Sequence, residues 1–229
     1  MTTLSRIMVG IPARRFDRME TVDALDQFLY SAYPKWVLGD PGTKATLWKK
    51  TLVSPRVDMD RSKLIGMASR FGFNTLWMVD TDVRIHSPFK NVVFAVGRGF
   101  DLGYDIVIVP TIQITGPDSF RVMVWPEPND VKVEPYGINE GAGGFVALSE
   151  RYLKEMRPIA QARYMDDPTP LPLYCLYPPE TSEDISLCRE ARKQGFKIGA
   201  IPNVVVSHEK AWYVTNQLPE NTKGATGAK

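Results

Sequence analysis

The chain has 229 residues, 44% of them hydrophobic and 24% charged, with a formal net charge of +2. This composition excludes a disordered chain and suits one large α/β domain with a proper core. A charge so close to balance offers no electrostatic argument for nucleic acid by itself.

Arg6–Ile11 predicts a first strand, stopped by Pro12. Asp17 to Tyr30 carries Met19, Val22, Leu25, Phe28 and Leu29 at helical spacing. Trp36–Leu38 predicts a second strand, ended by the turn Gly39-Asp40-Pro41-Gly42. Lys44, Lys49, Lys50, Arg56, Arg61 and Lys63, opposed by Asp58 and Asp60, read as a solvated face. Arg61 to Phe71 sets Leu64, Ile65, Ala68 and Phe71 on one helical face, with Gly72 as a stop. The run Thr75–Val79 is short, apolar and rich in strand formers, so it predicts a buried strand. The resulting β-α-β-α-β order implies right-handed crossovers and a largely parallel sheet.

The second half is less regular. Tyr104–Val109 predicts a strand, and the prolines of 115–137 predict loops or an edge excursion. Gly141–Gly144 leads into a strand at Phe145–Leu148, then a short helix capped by Ser149. Six prolines in 157–182 argue against regular structure there. Glu183 to Gln194 predicts a helix with Ile185, Leu187, Cys188 and Ala191 inward, stopped by Gly195. Short strands follow at 197–201 and 204–206. Cys175 and Cys188 lack metal-ligand spacing and are expected as reduced thiols. No run approaches membrane-spanning length, and the first residues lack the apolar stretch of a signal peptide, so a cytoplasmic protein is expected.

Chemistry concentrates at Asp80-Thr81-Asp82, directly after the 75–79 strand. Ligands of open α/β sheets bind at the carboxyl ends of the strands. Two carboxylates one residue apart suit a divalent cation such as Mg²⁺ or Mn²⁺, which often also holds substrate phosphates. A solvated turn, which Asp also favours, is the other reading. Of the two histidines, His208 follows a β-run, whereas His86 has no such context and reads as a surface or structural residue. Glu183 and Asp184 either serve a site edge or favour the dipole of the helix they open.

Four segments in order resemble the GT-A fold of nucleotide-sugar-dependent glycosyltransferases, especially the inverting family of cellulose, chitin and hyaluronan synthases and many bacterial capsule enzymes. They are Ile7–Pro12, Arg61 through Asp82, Gly141–Phe145, and Ser182–Arg189 with Gly195–Ile198, Ile201-Pro202 and Val204–His208. The resemblance implies an α/β GT-A (Rossmann-like) fold with a mixed, mainly parallel central sheet flanked by helices. It implies one catalytic domain over 1–208 and a flexible lid over 209–229. It implies Mn²⁺ or Mg²⁺ held by Asp82, His208 and Asp80, with Asp80 alternatively on ribose or a metal-bound water. Donor-side residues would be Pro12, Arg14, Asp40, Arg61, Asp80 and Thr81; acceptor-side residues would be Gly143, Gly144 and Glu183. Asp184 would be the general base, at an exposed edge and ionised near neutral pH. Arg61 would contact the diphosphate, or else pair with Asp58 or Asp60.

The expected activity is transfer of one sugar, by default from a UDP-sugar, to an acceptor hydroxyl with inversion. The Gln-x-x-Arg-Trp signature of processive synthases is absent, which argues for a single transfer. A glycan, a small molecule, a protein or a hydroxymethylated base in viral DNA remain open as acceptor. Three rivals stand beside this reading: a haloacid-dehalogenase-like phosphatase with Asp80 as nucleophile, a nucleotidyltransferase, and a non-catalytic sugar-nucleotide-binding protein. The phosphatase pattern expects Thr or Val where Arg84 stands, and no glycine-rich, lysine-bearing entry loop of a nucleotidyltransferase follows Ile11.

Overall fold

A computed structural model of the chain describes residues 4–13, 27–29, 46–53, 56–110, 112–116, 119–126, 132–164, 167–176 and 181–208. Residues 27–29 are helical, and the rest of the expected 17–30 helix lies outside the described residues. So do the expected 36–38 strand, Arg14, Asp40 and the tail 209–229.

In chain order the strands are β1 (Arg6–Ala13), β2 (Thr46–Val53), β3 (Thr75–Val79), β4 (Val83–Ile85), β5 (Ile106–Val109), β6 (Ile112–Gly116) and β7 (Ser119–Val122). They continue with β8 (Val124–Trp125), β9 (Tyr136–Ile138), β10 (Glu140–Gly141), β11 (Phe145–Ser149), β12 (Ala160–Tyr164), β13 (Asp167–Leu173), β14 (Ile198–Ala200) and β15 (Val206–His208). The helices are α1 (Val57–Arg70), α2 (Phe89–Asp101), α3 (Glu150–Glu155) and α4 (Glu183–Lys193).

Seven strands form the central sheet in the order β2-β1-β3-β11-β5-β14-β9. β2, β1, β3, β5 and β14 run one way; β11 and β9 run against them. The fold is thus α/β of the GT-A, Rossmann-like type, with a mixed and mainly parallel sheet. Alternation along the strands gives each face its own core. Met8, Leu76, Met78, Ile106, Ile108, Val146 and Leu148 face α1, α3 and α4. Ile7, Val9, Trp77, Val79, Val107, Phe145 and Ala147 face α2 and the 28–29 segment. Both faces are covered, so the central strands read as unbroken apolar runs.

The 75–79 strand has its expected bounds, and Ser149 caps α3, its side chain accepting from the Tyr152 N–H. Several elements differ. The strand beside β1 is β2, in the segment read as a solvated basic face. A parallel neighbour of β1 can be any later strand, so adjacency was not readable from order. α1 begins at Val57 and buries Asp58, Asp60 and Arg61, while Phe71, expected inward, is half exposed and stacks edge-on against Trp48. β1 continues through Pro12 to Ala13, with Pro12 opposite Leu52. The proline-rich 157–182 stretch contains the hairpin β12–β13, with Pro170 opposite Arg163 and Pro172 opposite Gln161. Proline is tolerated because that sheet has two strands, so each has an outer edge needing no N–H. In α4, Ile185 is half buried, and Asp184 and Ser186 join Leu187, Cys188 and Ala191 inside. Both cysteines are free thiols and buried.

Phe145 joins sheet and helix layers: fully buried on β11, its ring lies 5.6 Å from that of Trp77. Phe145→Ala leaves a void in this face and should lower unfolding free energy by about 3–5 kcal/mol in urea titrations.

Candidate functional site

β3 ends at Val79 and delivers Asp80 to the carboxyl end of the sheet. The Asp80 N–H donates to the Gly144 carbonyl (2.8 Å), and the Val83 N–H donates to the Asp80 carbonyl (3.1 Å), closing the turn into β4. Thr81 is buried inside that turn and Asp82 is half buried. From the other side of the sequence, α4 brings Glu183 and Asp184 on its first turn. Ser182 is the N-cap, accepting from the Ile185 N–H, so neither acid caps the helix.

Arg61, on the second turn of α1, lies between these groups with its side chain 1% exposed. Nη1 donates to Asp184 Oδ1. Nη2 donates to Asp80 Oδ1 at 2.8 Å and lies 3.5 Å from Glu183 Oε1. Nε is buried and has no hydrogen-bond partner among the described residues. Asp58, one of the two partners expected for Arg61, is instead bridged by both Nε and Nη2 of Arg56, at 2.9 and 2.6 Å.

Burial opposes the Arg61 charge, but Asp184, Asp80 and Glu183 hold its pKa above the ordinary value. Burial pushes the Asp184 carboxyl up to about 7, against the pull of Arg61, and the neighbouring Asp80 and Glu183 carboxylates push the same way. The Gly143 N–H donates to Asp184 and pulls it back. Asp184 is therefore not the exposed, freely ionised acid that its helix-start position suggested.

The glycine segment is part of this frame. Gly143 binds Asp184 through its N–H, and Gly144 binds Asp80 through its carbonyl. A Cβ on Gly143 would collide with the Val109 carbonyl oxygen and stand 2.7 Å from Ile108 Cγ2. Close approach of backbone to β5, rather than turn geometry, requires the glycine. Residues 174–176 bind the two helices: the Tyr174 N–H donates to Ser62 Oγ (3.1 Å) on α1, and the Leu176 N–H to Ser186 Oγ (3.2 Å) on α4. Cys175 Sγ, between them, donates to the Asp58 carbonyl (3.5 Å). Arg189 adds a two-pronged ion pair to Glu140 (2.7 and 3.1 Å), joining α4 to β10.

His208 belongs to β15, which pairs antiparallel with β4, and its Cα partner is Val83. The backbone thus sets His208 beside the residue following Asp82, although the two lie far apart in sequence. Among the described residues no three His, Cys, Asp or Glu side chains form a metal cage. Asp80 and Asp82 carry hard oxygen donors of the kind that suits Mg²⁺ or Mn²⁺, ions that complete their shells with water and substrate oxygens. Pro12 is buried near the end of β1, and His86 is exposed with its N–H donating to the Val205 carbonyl.

The sequence reading missed the joint engagement of Arg61 by three acids, the Gly143 contact and the 174–176 clamp. The one local signal was an arginine on the inner side of a helix beside Leu64 and Ile65. A buried arginine demands carboxylate partners.

No family model and no curated protein matches the chain. Among solved structures, the chain is similar to A197 from STIV, with a TM-score of 0.56 and 16% identity over 89% of this chain and 85% of that one. It is also similar to a structure described as mannose-1-phosphate geranyltransferase from Thermus thermophilus, with a TM-score of 0.52 and 13% identity over 93% of this chain and 78% of that one. At these identities the likeness is one of fold, and it agrees with the GT-A-type sheet order. No described helix is long and apolar enough to cross a membrane.

Gly143→Ala should destabilise the protein by about 1–3 kcal/mol through overpacking against β5. Chemical denaturation measures that loss. Gly66→Ala, where a Cβ would meet nothing within 4 Å, should show no such loss.

Proposed function

We propose that this protein is a divalent-metal-dependent glycosyltransferase that moves one sugar from a nucleoside-diphosphate sugar, by default a UDP-sugar, to an acceptor hydroxyl with inversion. The observation that carries the reading is the gathering of Asp80, Glu183 and Asp184 around one buried arginine at the carboxyl edge of the sheet. The fold is shared with a structure described as a mannose-1-phosphate geranyltransferase, a transferase whose name includes a sugar phosphate.

Asp184 is the proposed general base. It takes the acceptor hydroxyl proton as the oxygen attacks the anomeric carbon in line, and the bond from that carbon to the diphosphate breaks on the opposite face. Burial and a raised pKa make Asp184 a stronger base than a free carboxylate. Asp82, Asp80 and His208 are the proposed metal ligands. A cation there would neutralise the charge growing on the diphosphate leaving group. Thr81 and Pro12, with Arg14 and Asp40 outside the described residues, form the proposed donor side. Gly143, Gly144 and Glu183 form the proposed acceptor side, and 209–229 the proposed lid over the 1–208 domain. One base and no covalent nucleophile imply an inverted product. A glycan, a small molecule or a hydroxymethylated base in viral DNA are acceptors of the right chemistry.

A transferase joining a nucleotide to a sugar 1-phosphate would use the same sheet edge but would need no base at Asp184. Incubation with UDP-sugars and Mn²⁺, read as UDP release, separates the two from incubation with nucleoside triphosphates and sugar 1-phosphates, read as pyrophosphate release. Pyrophosphate alone would overturn the glycosyltransferase reading.

Chelation tests the cation. Excess EDTA should abolish turnover and added Mn²⁺ restore it. Asp82→Ala should eliminate metal-dependent donor binding in calorimetry, and His208→Ala should weaken it.

Asp184→Asn should keep the fold and donor binding while kcat falls by about 10²–10⁴-fold, with donor KM less affected. The base works ionised and its pKa is raised, so wild-type kcat should fall as pH drops through about 7, well above the ordinary carboxylate range. A pH–rate profile flat from pH 5 to 8 would remove Asp184 from that role.

A further inference from the structure

Arg61 is the one cation that the described structure sets among the three site carboxylates. Its side chain is 1% exposed, so a bound donor would not reach it without displacing the acids that cover it. Nη1 faces Asp184 and Nη2 faces Asp80 and Glu183. The glycine segment touches both residues, the Gly144 carbonyl accepting from the Asp80 backbone N–H and the Gly143 N–H donating to the Asp184 carboxylate. The contacts close a ring: Arg61, Asp80, Gly144, Gly143, Asp184 and back to Arg61.

We propose that Arg61 is a positioning residue: its two terminal nitrogens hold Asp80 and Asp184 at a set separation, and it touches neither donor nor acceptor. This rests on the glycosyltransferase reading, in which Asp80 is a metal ligand and Asp184 is the base. The two carboxylates arrive from β3 and α4, which share no covalent frame near the site. One guanidinium bound to both removes their independent motion. A planar fork with two terminal nitrogens can address two acids at once, whereas an ammonium is a single point charge. The residue type itself is therefore informative. Charge balance alone would be met by lysine, but the bridge requires arginine. A base misplaced by about 1 Å can cost about 10²-fold in rate, so a buried residue that sets this distance acts chiefly on turnover.

The test compares wild type with Arg61→Lys, which keeps the charge and loses the fork, and with Asp184→Asn, which removes one end of the bridge. Melting and circular dichroism establish that each is folded. The first readout needs no substrate: side-chain carboxyl carbon-13 resonances of labelled aspartate. In Arg61→Lys, the Asp80 and Asp184 resonances should both move, while Asp105, paired with Arg151 at 3.0 Å, stays in place. In Asp184→Asn, the Asp80 resonance should move as the guanidinium loses its second anchor. An unmoved Asp80 in Asp184→Asn overturns the bridge, and does so even if Arg61→Lys fails to fold. The second readout is turnover of a UDP-sugar with Mn²⁺. Arg61→Lys should lose about 10²-fold in kcat, a larger change than in donor KM. A raised KM with unchanged kcat would make Arg61 a donor contact and overturn the proposal. If wild type turns over no nucleotide sugar, the functional reading fails, and the resonances alone decide whether Arg61 bridges the two acids.

Discussion

The buried Arg61 guanidinium is the constraint around which the rest of the structure is arranged. Removing a guanidinium from water costs several kcal/mol even after relaxation, and that cost is offset only by well-placed carboxylates. Here Asp184, Asp80 and Glu183 supply them from two elements, with Asp80 Oδ1 at 2.8 Å. Removing one member of such a buried group strands the others, at a cost of about 3–5 kcal/mol. Only an architecture that brings the end of β3, the second turn of α1 and the first turn of α4 to one point can therefore hold Arg61 at this position.

Much of the surrounding structure serves that convergence. β11 runs antiparallel between β3 and β5, so its entry segment, Gly143-Gly144, passes directly over the ends of both neighbours. That path lets Gly144 bind Asp80 and forces Gly143 against the Val109 carbonyl. The 174–176 segment then bonds to serines on α1 and α4, Ser62 and Ser186, and keeps the two helix starts side by side. Polar residues at these inner positions would weaken an ordinary helix–sheet core. Here Ser62 and Ser186 each accept a backbone N–H from the 174–176 segment, and both terminal nitrogens of Arg61 meet carboxylates.

The charge balance of the cluster has chemical meaning. Among the described residues, Asp80, Glu183 and Asp184 face the Arg61 guanidinium. Burial and the two neighbouring carboxylates favour a proton on Asp184. The pairing of β15 with β4 sets the His208 backbone opposite Val83, the residue after Asp82.

Local chemistry made much of this legible in the sequence. Thr75–Val79 is apolar and β-prone, so the strand and its acidic end were readable. Ser149 begins a helix as a capping residue does, and Gly72 and Gly195, with φ of +65 and +83, end helices. The class of fold followed from the alternation of strand and helix patterns. What the sequence could not yield were contacts across the sheet. Arg61 and Asp184 are 123 residues apart, and the placement of Arg61 beside Leu64 and Ile65 hints at burial without naming the carboxylates that meet it. β2 was overlooked because parallel neighbours need not be consecutive, and β13 because its prolines look irregular until an outer edge is available to accept them. Periodicity and capping depend on neighbours along the chain and so are written in the sequence. Burial, and with it the partners and proton affinity of Arg61 and Asp184, depends on neighbours in space, which only the folded sheet brings together.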